Sequence, residues 1–133
     1  MIEIKDLVGE PLAIIVQKSD MQDGTTWFCK DYDGLQVARM KYNSDKSFEA
    51  HTHIMRPRLS NYTEEAIIVF QGTLRVTIYD LGKEVVYSGY LYAGDMVISR
   101  RGYHQYEVIE DNSIFYEFKN GPFTTRSEDK KFL

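Results

Sequence analysis

Apolar and polar positions alternate in short runs along this chain, and turn residues interrupt each run before a helical stripe can build up. The breaks fall at Asp23-Gly24, Asp33-Gly34, Asn43 to Asp45, Gln71-Gly72, Leu81-Gly82, Ala93 to Asp95 and Glu110 to Ser113. Between them lie stretches rich in β-branched and aromatic residues, which predict strands. They are Leu12 to Gln17, Thr25 to Cys29, Leu35 to Tyr42, Phe48 to His53, Glu65 to Phe70, Leu74 to Tyr79, Val85 to Tyr92, Met96 to Ser99, His104 to Ile109 and Ile114 to Phe118. No long helix is predicted, and many strands with short connections point to an all-β sandwich or barrel.

Two of these runs carry more than their secondary structure. Ala66 to Phe70 is apolar on both alternating faces, so its outer side needs a cover as well as its inner one. Either an N-terminal sheet layer or a second copy of the chain can supply it, and the expected assembly is a homodimer. Phe48 to His53 alternates as a strand does, which places His51 and His53 on one face. The polar, charged stretch Thr124 to Lys130 is expected to run over the surface.

Composition narrows the class. At 133 residues the chain suits one domain with a single core. A net charge of −4 speaks against nucleic acid as the main partner. Cys29, the only cysteine, cannot form an intrachain disulfide, and no basic segment followed by a long apolar one opens the chain. A soluble cytoplasmic protein without membrane contact is therefore expected. Cys29 has no His or basic neighbour in sequence to activate it, which favours an inert buried thiol.

The candidate chemistry lies in the histidines. His51 and His53 direct two imidazoles at one point, Glu65 stands at the head of the apolar run, and His104 follows the turn Arg100 to Tyr103. All three histidines of the chain are thereby included. Three imidazoles and one carboxylate suit one divalent metal ion, whether iron, manganese, nickel, cobalt or zinc. Four such ligands leave positions open on an octahedral ion. Without Glu65, the histidines suit four-coordinate zinc with one water.

This arrangement resembles the cupin family, whose first motif runs His-x-His, a gap, Glu, six residues and Gly. Glu65 to Gly72 fits its second half, and Gly94, Arg100, Gly102 and His104 correspond to the second motif, with Arg100 in place of its proline and Asp45 in place of the glycine that opens the first. Within the cupins the chain is most similar to WbuC-like metalloproteins found with bacterial surface-polysaccharide genes, through Thr63 to Asp80, Gly94-Asp95, Gly102 to Glu107 and Lys119 to Phe123. The resemblance implies a cupin-type double-stranded β-helix, a jelly-roll barrel, with N-terminal strands over 1–45, the barrel core over 46–123 and a polar tail over 124–133. It also implies metal ligation by His51, His53, Glu65 and His104, while leaving open whether Glu64 or Glu65 faces inward.

Arg56 and Arg58 begin just after the His pair, where guanidinium groups near a barrel mouth can hold phosphate or carboxylate, although a solvated loop accounts for them equally well. Arg100 and Arg101 have a weaker claim, because basic residues in turns are commonly just exposed. Tyr103, Tyr106 and Tyr116 flank His104 or its neighbouring strand and are candidates to stack on a ring-shaped ligand, against ordinary packing. Glu107 lies an odd number of positions from His104 and should face the other way. The functional expectation is a metal-dependent isomerase-like or oxygenase-like activity on a small molecule, implied by the resemblance to be a sugar or nucleotide-sugar intermediate, with an anionic sugar favoured. The alternative is a non-catalytic, metal-stabilised carbohydrate- or metabolite-binding module.

Overall fold

Among the described residues, ten strands follow one another, most of them joined by short turns. They are β1 (Ile2–Lys5), β2 (Pro11–Val16), β3 (Gly24–Trp27), β4 (Ala38–Lys41), β5 (Glu65–Gln71), β6 (Thr73–Tyr79), β7 (Val85–Tyr92), β8 (Met96–Ser99), β9 (Tyr103–Val108) and β10 (Ile114–Lys119), with one 3-10 turn at Lys18–Asp20. The structure is a computed structural model that describes every residue except Met21, Arg56, Arg58, Leu59, Pro122, Phe123, Thr124, Arg126, Glu128 and Asp129. Among the described residues, no helix is long and apolar enough to cross a membrane.

Among the described residues the strands form three antiparallel sheets, none of them closed into a barrel. A five-stranded sheet runs in the order β1-β2-β8-β5-β10, a three-stranded sheet in the order β7-β6-β9, and β3 pairs with β4 alone. From β5 onward the chain passes back and forth between the two larger sheets. The corner from β5 to β6 is made at Gly72, with φ +83°, where a Cβ would stand 2.8 Å from the Ser113 Cα. Gly102, with φ +81°, makes the β8-to-β9 corner, and a Cβ there would collide with the Tyr79 carbonyl. Only glycine meets both demands without strain.

Alternation within each strand then decides what is buried. Ile67 and Val69 of β5, Val97 of β8 and Ile15 of β2 face Leu74, Val76 and Ile78 of β6 and Leu91 of β7, and all are at most 1% exposed. This shared core joins the two larger sheets face to face. Each such side chain contributes about 1.5–3 kcal/mol by leaving water, which makes the inter-sheet layer the main source of stability. The opposite face of the five-stranded sheet carries Ile14, Val16, Ala66, Met96 and Ile98, which pack with Phe28 and the half-buried Leu35 and Val37 of the β3–β4 region.

An N-terminal layer therefore covers the first part of the two-faced β5 run, one of the two covers expected. It does not reach the end, for Ile68 is 36% and Phe70 62% exposed.

Three differences from the sequence expectation concern strands, the first being that the Leu35 to Tyr42 run is strand only over Ala38–Lys41. Ile2–Lys5 forms β1, paired antiparallel with β2; its apolar–polar alternation is present but spans only four residues. Conversely, Phe48 to His53 is not a strand, and each of its residues is exposed. The run has too few apolar residues to anchor it to either core, and an unpaired strand is not stable by itself. The 42–64 connection instead begins with a local fold: Lys46 N–H donates to the Asn43 carbonyl at 3.1 Å, and Phe48 turns back edge-on to Tyr42 with ring centroids 5.4 Å apart.

Candidate metal and ligand site

Glu65 opens β5 on the face turned toward the three-stranded sheet, in register with Ser99 of β8 and Lys119 of β10. His104 is the second residue of β9, in register with Ile78, on the face turned toward the five-stranded sheet. Because the two sheets pack face to face, these side chains meet: His104 Nε2 lies 3.1 Å from Glu65 Oε1. The carboxylate is nearly enclosed, with its side chain 6% exposed, while the imidazole is 32% exposed and reaches toward solvent.

Tyr106 follows His104 by two residues and so shares its face. Its ring packs on the inter-sheet core and lies 5.2 Å from the His104 ring. Its hydroxyl shares a 2.9 Å hydrogen bond with Ser99 Oγ and stands close enough to Glu65 to influence its charge. Burial pushes the Glu65 carboxyl up, but the hydrogen bond and charge of His104, with smaller help from Lys130 and Tyr106, outweigh it and leave the group below its ordinary value. Burial, reinforced by the Glu65 charge, drives the Tyr106 hydroxyl well above its ordinary range. The site is thus a carboxylate held ionised beside a phenol held neutral.

Of the two adjacent carboxylates, Glu65 is the one that faces His104. Glu64 points to the other side of the sheet, where its Oε2 accepts the Leu35 N–H at 2.6 Å. Asn120 holds the backbone here, its Oδ1 accepting the Glu64 N–H at 2.7 Å.

His51 and His53 lie in the exposed connection before β5. Their rings meet edge to face with centroids 5.4 Å apart, and His51 Nδ1 is 2.8 Å from the Glu49 carbonyl. The structure therefore brings the expected donors together as two pairs, Glu65 with His104 and His51 with His53. Among the described residues, no group of three or more His, Cys, Asp or Glu side chains stands together as a metal site.

The tyrosines are not brought together. Tyr106 alone shares the face of His104. Tyr103 lies on the opposite face of β9, in register with Tyr79 and with Lys83 Nζ 6.0 Å from its ring centroid. Tyr116 lies on the outer face of β10 against Phe70, with ring centroids 6.0 Å apart. Glu107 faces away from His104 as its spacing predicts, and pairs with Arg75 at 3.6 Å. Arg56 and Arg58 lie outside the described residues.

Two features were not foreseen, and a third, at Cys29, follows the expectation of an inert thiol. Ser99, an inward position of a buried strand, anchors Tyr106. Arg100 is not a solvated turn residue: its guanidinium makes a 2.7 Å ion pair with Asp33, the two side chains 7% and 8% exposed, and also donates to the Phe28 carbonyl at 3.0 Å. Cys29 exchanges contacts with Val37, its Sγ accepting the Val37 N–H at 3.1 Å, which gives the thiol a structural place.

The chain matches no protein-family model, no curated protein and no solved structure.

Proposed function

We propose that this protein is a cupin-type metalloprotein whose jelly roll is built on the two facing sheets, in which His51, His53, Glu65 and His104 hold one divalent ion and a small anionic, sugar-like molecule approaches its open side. The observation that carries the reading is the enclosed carboxylate–imidazole pair, Glu65 and His104, set between two sheets at 3.1 Å. Its donor types fit a borderline divalent ion. The hydrogen bond between His51 Nδ1 and the Glu49 carbonyl is the second support, because a ligating histidine ordinarily anchors one ring nitrogen on a carbonyl and offers the other to the metal. Ligation by all four residues requires the 42–64 connection to bring its His pair against the inter-sheet pair.

When bound, the ion supplies Lewis-acid polarisation of a carbonyl or hydroxyl, or, if it is iron, activation of dioxygen. The chain's own residues supply the rest. Glu65 stays deprotonated and so remains a donor near neutral pH. Tyr106, anchored on Ser99 Oγ, stands beside that carboxylate and positions it. His104, a third exposed, stands on the solvent side. Arg56 and Arg58, which follow the His pair in sequence, offer the anion its paired hydrogen bonds.

Elemental analysis of protein purified without added chelator tests the proposal. The wild type should carry one equivalent of iron, manganese, nickel, cobalt or zinc, and the His51→Ala/His53→Ala double variant should carry none. Equal metal in both, or none in either after incubation with each ion, would overturn it. Iron would favour oxygen chemistry, whereas zinc would leave isomerase and binding-module roles. Arg56→Ala/Arg58→Ala should keep the metal and bind a sugar phosphate about tenfold more weakly.

A further inference from the structure

On the outer side of the five-stranded sheet, away from Glu65 and His104, lies a cavity of about 490 Å³. That volume falls within the roughly 300–1,000 Å³ of small-molecule sites. Its walls come from four separate parts of the chain: the entry to β2, the 30–34 turn, the 60–64 segment and the exit of β8. They are fastened to each other. Arg100 and Asp33 form the buried ion pair that ties the turn to β8, and within the turn Asp33 Oδ2 also accepts the Lys30 N–H at 2.7 Å. Gly34 lies so close to Ser60 that a Cβ there would collide with its hydroxyl. Asn120 closes the far side by donating to Ser60 Oγ and, at 2.8 Å, to the Tyr62 carbonyl. Such a wall is set before any ligand arrives.

The lining chemistry selects the ligand. Lys30, Arg100 and Arg101 are matched by Glu10, Asp33 and Glu64, so neither sign of charge is left in excess to attract an ion. Arg100 is consumed by its pair. Arg101 stacks over the Tyr62 ring at 4.6 Å, donates to its hydroxyl at 2.9 Å and lies 3.7 Å from Glu10. What remains is mixed: no hydrogen bond from another described residue reaches Glu64 Oε1 or the exposed Asn61 amide. Those groups include both acceptors and donors. A hydroxyl is the group that serves both at once. Two tyrosine rings, Tyr32 and Tyr62, add apolar faces beside them, each with a cation near its ring, Lys30 at 5.6 Å and Arg101 at 4.6 Å.

We infer that this cavity is a second ligand site, taking a neutral polyhydroxylated ring such as one sugar unit, hydrogen-bonded by Asn61 and Glu64 and packed against Tyr62. It is independent of the metal reading, because Glu64 and Glu65 face opposite sides of the sheet.

The test is titration of ¹⁵N-labelled full-length protein with glucose, galactose, mannose and N-acetylglucosamine, and separately with inorganic phosphate. At least one sugar should shift the amides of 30–34, 60–64 and Arg101 saturably, and phosphate should not. Asn61→Ala/Tyr62→Ala, both at exposed positions, should weaken that sugar by about tenfold or more while leaving the rest of the spectrum and the metal content unchanged. Tyr62→Phe, which keeps the ring, should retain most of the affinity. The proposal is overturned if no sugar shifts these amides, if phosphate alone shifts them, or if the double variant binds as the wild type does.

Discussion

Glu64 and Glu65 are neighbours in sequence, yet they serve opposite faces of one sheet and opposite kinds of environment. Glu65 enters the inter-sheet layer, where core packing encloses it, its partner is the side chain of His104 and Tyr106 stands nearby. Glu64 enters the outer layer, where its partner is the backbone N–H of Leu35 and its neighbours are the walls of a polar cavity. The inner face is held by apolar burial with one polar cluster at its edge. At this end the outer face is held by an ion pair, Arg100 with Asp33, because the apolar patch built on Phe28, Ile98 and Ala66 does not extend so far. Charge does on one side what packing does on the other.

The sharpest way to break this contrast is to remove one member of the buried ion pair. Asp33→Ala leaves the Arg100 guanidinium, 7% exposed, without its carboxylate, and should cost about 3–5 kcal/mol in chemical denaturation. Asp33→Ala/Arg100→Met should recover much of that loss, since no charge then remains buried. If the double variant were as unstable as the single one, the hydrogen bonds of Asp33 to its own turn would stabilise this end more than the ion pair does.

On the inner face, Glu65→Gln should cost less, on the order of 1.5–3 kcal/mol near neutral pH, the range of hydrogen bonds to charged groups. The effect should depend on pH. The folded carboxyl lies below its ordinary value of 4.5, so its contribution is fully present above that value and disappears as pH falls through the lower folded one. The stability gap between wild type and Glu65→Gln should therefore close on the acid side, measured on chelator-treated protein. A gap unchanged from neutral pH to below the folded value would contradict the ionised Glu65 carboxylate.

Tyr106→Phe isolates the hydroxyl from the ring. It should cost about 0.5–1.5 kcal/mol, because Ser99 Oγ loses its partner while the ring keeps its place on the core. Thermal unfolding that shows no change would mean that water replaces the hydroxyl and that Tyr106 does not position Glu65.

The smallest effect on stability should come from the exposed end of the outer face. Ile68, Phe70, Tyr116 and Phe118 are 36%, 62%, 52% and 52% exposed, and β10 is an edge strand. Phe118→Lys should change unfolding by no more than about 0.5 kcal/mol, as surface substitutions do. Yet this face is where the homodimer expected from the sequence would pair, so the same variant should shift light scattering from a dimer mass to a monomer mass. A wild type that is monomeric across the micromolar range would remove the dimer.

How much could be read in advance differs between these regions. The strands Val85–Tyr92 and Met96–Ser99 have the predicted bounds, and β5, β6, β9 and β10 lie within a residue of theirs, because a strong alternation of period two ends in turns that glycine or aspartate makes local. The inner site was half visible for the same reason: Glu65 and His104 each sit at an end of a well-patterned strand, and Tyr106 shares the face of His104 by simple parity. The His51–His53 segment shows the limit of that signal. Alternation over six residues describes a strand only if something stands beside it, and the neighbour is not written in those residues.

Local sequence alone determined that the chain is nearly all β, where the corners must be, and which side chains of each strand share a face. Period-two geometry and the steric freedom of glycine act within a few residues, so they can be read in order along the chain. Which faces meet was decided only in three dimensions. The contact of Glu65 with His104 depends on two sheets packing together, the pairing of Arg100 with Asp33 joins residues 67 positions apart, and β1 exists because β2 offers it an edge. Each is a gain made only after distant segments have been brought together, and its stability resides in the joined surfaces.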